Sequence, residues 1–388
     1  MARKKILWLC SWYPNRTDPF DGDFIQRHAR AASLYHDIYV IRVVADPALK
    51  PGKVEATAVL SSPLTEKLIY LGKGAGLMGR FLFYRNWNKV FKQAIEQYLS
   101  EQGKPSVIHV HVPYPVGRMA LWLKKKTGLP FVVTEHWTIY QPGSEITYSK
   151  QPVRLRKLVS RVLKEASFFL PVSDNLGQLI HEQIVPVPTQ VVRNVVDTSL
   201  FCLPVQPIVR KPSFRFIHVS GMSSQKNPEG LLKAFAAAWQ EEPDMELWML
   251  GNRDQSLVLF AAQLELPAKA IIFGGEVSYP EVAQQMKGSE ALVLFSQVEN
   301  APCVISEALC CGLPVIATNT GGIPEMLDES NGILVNPGDE TALKKALLNL
   351  KNNYHRYNRA QIAISASERY NYESVGQELS LIYNSLSK

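Results

Sequence analysis

The chain has 388 residues, 46% of them hydrophobic, which is enough for a large core and favours two domains over one. No uncharged apolar run reaches the roughly eighteen residues that a membrane-spanning helix needs, so such a helix is excluded. The net charge of +7 is unevenly divided: residues 1–205 carry 27 Lys and Arg against 15 Asp and Glu, residues 206–388 carry 15 against 20, and an anionic surface partner is expected to meet the first half.

The N-terminus, "MARKKILWLCSWYP", has the charged start of a signal peptide. Its apolar part is short and aromatic, with no small-residue cleavage site, so it reads as the first buried strand of a cytoplasmic protein. "FDGDFIQRHARAAS" sets Gly22 just before an amphipathic helix. Further strands of the first half are read at "IYVIRVV", "KLIYL", "VIHVHV", "FVVTE", "SFFLPV" and "TQVV". "GAGLMG", residues 74–79, matches the glycine spacing of a dinucleotide fingerprint, with Glu96 about twenty positions on. It lies in the third strand region instead of opening the domain, and "RFLFYRNWNKVFKQ" after it is basic and aromatic. A loop leading into a membrane- or acceptor-facing helix is the preferred reading.

That segment and "SKQPVRLRKLVSRVLKEA" are the main basic stretches. Basic faces with apolar backing suit either a solubilising surface or an interfacial helix on an anionic membrane. No nucleic-acid-binding motif accompanies the charge, so no nucleic-acid partner is expected. His109 and His111 alternate on one strand face, but no third ligand is spaced to complete a metal site, and no metal is expected. His136 in "TEHW" follows a buried strand. The proline-rich "LPVQPIVRKPS" reads as a linker.

From 213 to 335, apolar runs ("FRFIHVS", "MELWML", "AIIFGG", "ALVLFS", "PVIAT", "GILV") alternate with helical patterns. This predicts an α/β fold of two doubly wound, Rossmann-like domains facing across a cleft, which is the default ligand site. In "HVSGMSSQKNPEGLLKAF" a strand ends at Gly221 and a helix opens at Asn227-Pro228, a good N-cap and first helical residue. Lys226 beside that N-terminus reads as a diphosphate site.

In "FSQVENAPCVISEALCCGLPVIATNTGGIPE" a strand is followed by Glu299 in a loop, and then by a helix from about Pro302 that passes Glu307 and stops at Gly312. Glu307 is flanked by "VIS" and "ALCC". It should be buried and needs a partner. Two carboxylates so placed suit diols at separate points of an extended ligand better than the opposed pair of a glycosidase. Free N–H groups at the helix start favour an anionic or oxygen-rich ligand. Five cysteines without metal spacing read as reduced and packed, Cys303 among them.

The region from 299 to 307 resembles the E-x7-E signature of the retaining glycosyltransferases of family 4, which have the GT-B fold. "EALCCGLPVIATNTGGIPEML", "NGILVNPGDETAL", "VVRNVVDTSLF", "VSDNL", "VVTEHW" and "HVHVPYPVG" resemble further landmarks of that family. The likeness is strong after 290 and weak before 100. It implies that Glu299 contacts the donor sugar and Glu307 the ribose, that His136 lies near the sugar, and that the loop of Gly22 approaches the donor from the other domain. Gly221, Asn300, Ala301, Cys303, Gly321 and Gly322 are expected to bind the donor. Glu299, His136 and Lys226 are expected to carry catalysis. The family has an arginine where this chain has Met222, which keeps a catalytically silent sugar-nucleotide-binding protein open beside the enzyme. A nicotinamide-dependent oxidoreductase using "GAGLMG" is the third reading.

The expected activity is metal-independent, retaining transfer of a hexosyl group, without cofactor, from a nucleotide-diphosphate sugar to a glycan or lipid-linked glycan of cell-surface polysaccharide synthesis. The expected domains are 1–205, acceptor-side, and 206–372, nucleotide-sugar-binding. A C-terminal helix over about 373–388 is expected to pack back on the first. The expected location is cytoplasmic or peripheral on the inner face of the membrane.

Overall fold

The computed structural model describes residues 3–204, 213–252 and 254–386. Most of the expected linker lies outside the described residues. Seven strands form the first sheet: β1 (Lys5–Cys10), β2 (Asp37–Asp46), β3 (Val54–Ser61), β4 (Leu64–Gly72), β5 (Val107–His111), β6 (Phe131–Glu135) and β7 (Phe168–Pro171). Six form the second: β8 (Phe214–Val219), β9 (Met245–Leu250), β10 (Ile271–Gly275), β11 (Ala291–Leu294), β12 (Val315–Thr318) and β13 (Gly332–Val335). The helices are α1 (Asp23–Ser33), α2 (Gly76–Gln102), α3 (Gly117–Thr127), α4 (Val153–Glu165), α5 (Asp174–Gln183), α6 (Pro228–Trp239), α7 (Gln255–Ala262), α8 (Tyr279–Lys287), α9 (Cys303–Cys310), α10 (Glu340–Asn352), α11 (Arg359–Tyr370) and α12 (Tyr372–Leu386). Among the described residues no helix is long and apolar enough to cross a membrane.

The first sheet runs β3-β4-β2-β1-β5-β6-β7 and the second β10-β9-β8-β11-β12-β13. All pairings are parallel except that of β3 with β4. Parallel strands need both faces covered, which is why the central strands are apolar on successive residues. In β1, Ile6 to Cys10 are all fully buried. One face of the first sheet is covered by α2, α3 and α4 through Trp87, Phe91, Met119, Leu123, Leu155 and Val159. On the other face Ile25 and Ala29 of α1 pack with Val375, Leu379 and Tyr383 of α12. Two further cores flank the second sheet.

Strand order reverses beside β1 in the first sheet and beside β8 in the second. The crevices open there, at the carboxyl ends of β1/β5 and of β8/β11. The second places the loop after Val219 opposite the loop after Leu294.

Three expectations are corrected. "TQVV" forms no strand beyond a single bridge between Thr189 and Phe169, while the unexpected β3 supplies the outer edge of the first sheet. The loop expected at 74–79 is helical from Gly76 onward. Gly76 and Glu96 therefore lie on one helix, about 30 Å apart at 1.5 Å per residue. Glu96 pairs with Lys126 at 3.0 Å, so it does not meet the glycines as a dinucleotide site requires.

Candidate active site

The two loops of the second crevice meet directly. Lys226 holds its ammonium 2.5 Å from a carboxylate oxygen of Glu299, and Glu299 is 4% exposed. The loops are also tied by Gln225, whose amide donates to the Val298 carbonyl at 2.7 Å. Asn227 sits at φ +47 and accepts the Gly230 N–H, capping α6, with Pro228 in the first turn. This fixes Lys226 at the helix entry. Gly221 faces open space at the crevice, where a Cβ would meet nothing within 4 Å. Met222 turns the other way: at φ +54 and 8% exposed, it packs into the core of the second sheet. It supplies no cation to the crevice.

Eight positions after Glu299, Glu307 lies in α9. That helix closes in a Schellman motif, with Gly312 N–H on the Leu309 carbonyl and Leu313 N–H on that of Ala308. Apolar packing around the helix buries Glu307 to 5% exposure. Tyr279, at the start of α8, donates its hydroxyl to the carboxylate at 2.8 Å. Arg27 of α1 approaches it to 3.8 Å across the domain boundary. Burial lifts the Glu307 carboxyl above the usual carboxylate range, against the opposing pull of Arg27 and the Tyr279 hydrogen bond. Cys303 lies half-buried beside Arg27, and burial pushes its thiol up to about 12, so it is protonated and inert as a nucleophile.

Asn300 is a junction. Its amide donates to the His136 carbonyl at 2.8 Å and its oxygen accepts from Gln141 at 2.7 Å, both from the first domain. The Ala301 carbonyl accepts from Asn194 at 2.8 Å. Gly321 and Gly322 make this loop possible. A Cβ on Gly321 would fall 1.7 Å from the Glu299 carbonyl oxygen, and one on Gly322 2.4 Å from that of Asn300 and 2.6 Å from Ser173 Cβ across the boundary. The Gly322 N–H is already bonded to the Asn300 carbonyl at 2.7 Å, so it is not a donor for a diphosphate in this arrangement.

Gly22 lies at the start of α1 at φ +65. His136 follows β6, its ring 4.5 Å from Phe24 and 6.4 Å from His111 between centroids. Among the described residues its Nε2 is buried without a hydrogen-bond partner. Burial, with His28 and His109 nearby, holds its pKa well below the usual imidazole range, so the ring is neutral. His109 is bound by Tyr383 and Thr134, and His111 is fully buried against Trp8. Among the described residues no group of three metal-type ligands assembles.

Sequence reasoning missed Arg27, Tyr279, Gln141, Asn194 and Glu325. Glu325 accepts the Asp174 and Asn175 N–H groups of α5, each at 2.8 Å, from across the boundary. Ser224 adds a bond to Glu145. Both site carboxylates are nearly inaccessible with the two domains in this contact.

Comparisons agree with this architecture. The family model described as "Glycosyltransferase Family 4" matches residues 29–200, and that described as "Glycosyl transferases group 1" matches 205–367. N-acetyl-alpha-D-glucosaminyl L-malate synthase of Bacillus anthracis is 24% identical over 291 residues, covering 71% of this chain and 74% of the relative. The putative teichuronic acid biosynthesis glycosyltransferase TuaC of Bacillus subtilis is 23% identical over 373 residues, 88% of each chain. Sucrose-phosphate synthase from Thermosynechococcus elongatus superimposes with a TM-score of 0.77 at 19% identity over 99% of both chains. HepE of Anabaena, in complex with UDP and glucose, superimposes at 0.71 and 16% identity over 99% of this chain and 100% of its own. With family models matching each half and the GT-B arrangement of its two sheets, the chain belongs to family 4 of the glycosyltransferases.

Proposed function

We propose that the protein transfers a hexosyl group, with retention of configuration and without a metal, from a nucleotide-diphosphate sugar to a glycan or lipid-linked glycan of the cell surface. The observation that carries the reading is the pair of buried carboxylates beyond the carboxyl ends of the second sheet. Glu299 is paired to Lys226 and Glu307 is hydrogen-bonded by Tyr279. The likeness to a fold solved with UDP and glucose supports a sugar-nucleotide donor.

On this reading the donor lies along the β8/β11 crevice. Glu307 accepts hydrogen bonds from the ribose hydroxyls and Glu299 from the sugar hydroxyls. Lys226 moves from Glu299 toward the diphosphate and stabilises the negative charge that builds there as the C1–oxygen bond breaks. The acceptor oxygen bonds to C1 on the same face, and its proton passes to the departing phosphate oxygen. Met222 leaves this clamp with one cation fewer than the family pattern, and Arg27, carried in by the first domain, is the next cation at hand. Neutral His136, with Nε2 unspent, offers a hydrogen bond to the sugar. Closure excludes water and suppresses hydrolysis.

A panel of UDP-, GDP- and ADP-sugars, assayed for slow hydrolysis and for binding, tests the reading. Turnover of one donor supports it. Binding without turnover would identify a silent sugar-nucleotide-binding protein, and no binding of any donor would remove the proposal.

A further inference from the structure

The first turns of α2 carry three large apolar side chains in water: Leu77 is 87% exposed, Met78 68% and Phe81 64%. One to three turns further on, Trp87 and Phe91 of the same helix are fully packed against the sheet. The exposed tip therefore projects past the core, and hydration of these side chains is unfavourable unless something covers them. Lys73, Arg80 and Arg85 surround it, all exposed.

α4 lies on the same face of the first sheet as α2, since both contribute to one core. Both helices begin beyond the carboxyl ends of strands, β4 and β6, so their starts lie on the cleft side of the sheet. Val153, at the start of α4, is 53% exposed. Along α4 an open groove of about 580 Å³ is lined by Arg156, Lys157, Arg161 and Lys164. Apolar side chains at a helix tip combined with clustered cations on one face match a bilayer of anionic lipids: the tip enters the acyl boundary and the cations meet the headgroups. A nucleic acid would satisfy the cations but leave Leu77, Met78 and Phe81 in water. A second copy would set like charges of this face against each other.

We infer that this face docks on an anionic phospholipid bilayer through the tip of α2 and the basic groove of α4. Resting on the proposed function, the docked orientation holds the cleft rim at the bilayer, where a lipid-linked acceptor is presented.

Co-sedimentation of the full chain with vesicles tests the docking without reference to activity. Vesicles of phosphatidylcholine alone are compared with an equal mixture of phosphatidylcholine and phosphatidylglycerol. The wild type is expected to pellet with the mixed vesicles only, and less at high salt. A Leu77→Ser/Met78→Ser/Phe81→Ser variant and a Lys157→Gln/Arg161→Gln/Lys164→Gln variant, both altered only at exposed side chains, are each expected to bind about tenfold more weakly or less, at unchanged melting temperature. Equal binding to neutral vesicles, wild-type binding by both variants, or self-association through this face in light scattering would overturn the inference. Failure of the donor panel with intact vesicle binding would remove the transferase reading and leave the docking surface standing.

Discussion

Glu325 of the second domain accepts the N–H of Asn175, in the first turn of α5 in the first domain, at 2.8 Å, while its other oxygen takes the N–H of Asp174. Early N–H groups of a helix have no intrahelical acceptor and lie at its positive end, so a carboxylate is favourable there. One side chain thus caps a helix and holds two domains together. Glu325→Ala is expected to weaken the closed state by about 1 kcal/mol and to lower turnover about fivefold. Small-angle scattering should show a larger radius of gyration. Glu325→Gln, which keeps one acceptor, should recover part of the loss, and turnover equal to wild type in the alanine variant would remove the latch.

Gly322 lies on the same seam. A methyl there would press on the Asn300 carbonyl and on Ser173. Gly322→Ala is expected to cost about 1–3 kcal/mol as overpacking and to prevent full closure. Activity should fall by more than the loss of donor affinity. A fully active alanine variant would show that the seam does not close during turnover.

Lys226→Met would leave Glu299 buried without its cation. Lys226 keeps 23% of its side-chain surface exposed, so the loss is expected to stay below that of a fully buried pair, at about 2 kcal/mol. Adding Glu299→Gln should restore part of it. In an active background Glu299→Gln alone should lower kcat by about a hundredfold with a much smaller change in donor affinity. Chemical denaturation of the four proteins, with kcat and Kd, checks both statements. Additive losses in stability would dissolve the pairing, and an unchanged kcat would dissolve the catalytic role.

Glu135, at the end of β6 and next to His136, is 1% exposed, and burial raises its pKa to about 7 despite hydrogen bonds from His136 N–H, Trp137 N–H and the Tyr140 hydroxyl. The folded protein therefore holds this proton at a pH where the unfolded chain has released it. Stability from this group is present below the unfolded value near 4.5 and falls as pH rises through about 7. The loss amounts to about 3 kcal/mol. Glu135→Gln should flatten that decline, so the variant gains on wild type as pH rises from about 4.5 to about 7. Parallel stability–pH curves for the two proteins would contradict the raised pKa.

The strands of the second domain were legible because they are predominantly apolar runs of four to six residues, broken by polar side chains only at Arg215, His218, Glu246 and Thr318. β3 was not legible. It is an antiparallel edge strand, "VEATAVLS", whose apolar Val54, Val59 and Leu60 lie exposed and whose Glu55 puts a charge near its start, so it lacks the buried apolar run of the other strands. "TQVV" misled in the opposite direction: it looks like a strand, but Pro186 and Pro188 just before it lack the N–H groups needed for a ladder. Burial of Glu307 could be read from its apolar flanks, and the glycines of the 321–322 pair from the turn they occupy. The partners of Glu307 could not. Tyr279 and Arg27 arrive from another helix and another domain, and their sequence signals, a tyrosine before Pro280 and an Asp23-to-Arg27 spacing on α1, are satisfied by local readings alone. Met222 shows the limit of motif comparison. Its position matched the family's arginine, while its backbone turns the side chain into the core.

The central claim is that Glu299 and Glu307 hold a sugar nucleotide at two separate rings. Isothermal titration of the donor selected by the panel into wild type and Glu307→Ala tests it most directly. The variant is expected to lose donor affinity by about tenfold or more while its melting temperature stays within a few degrees. A donor that binds Glu307→Ala as tightly as wild type would contradict the account.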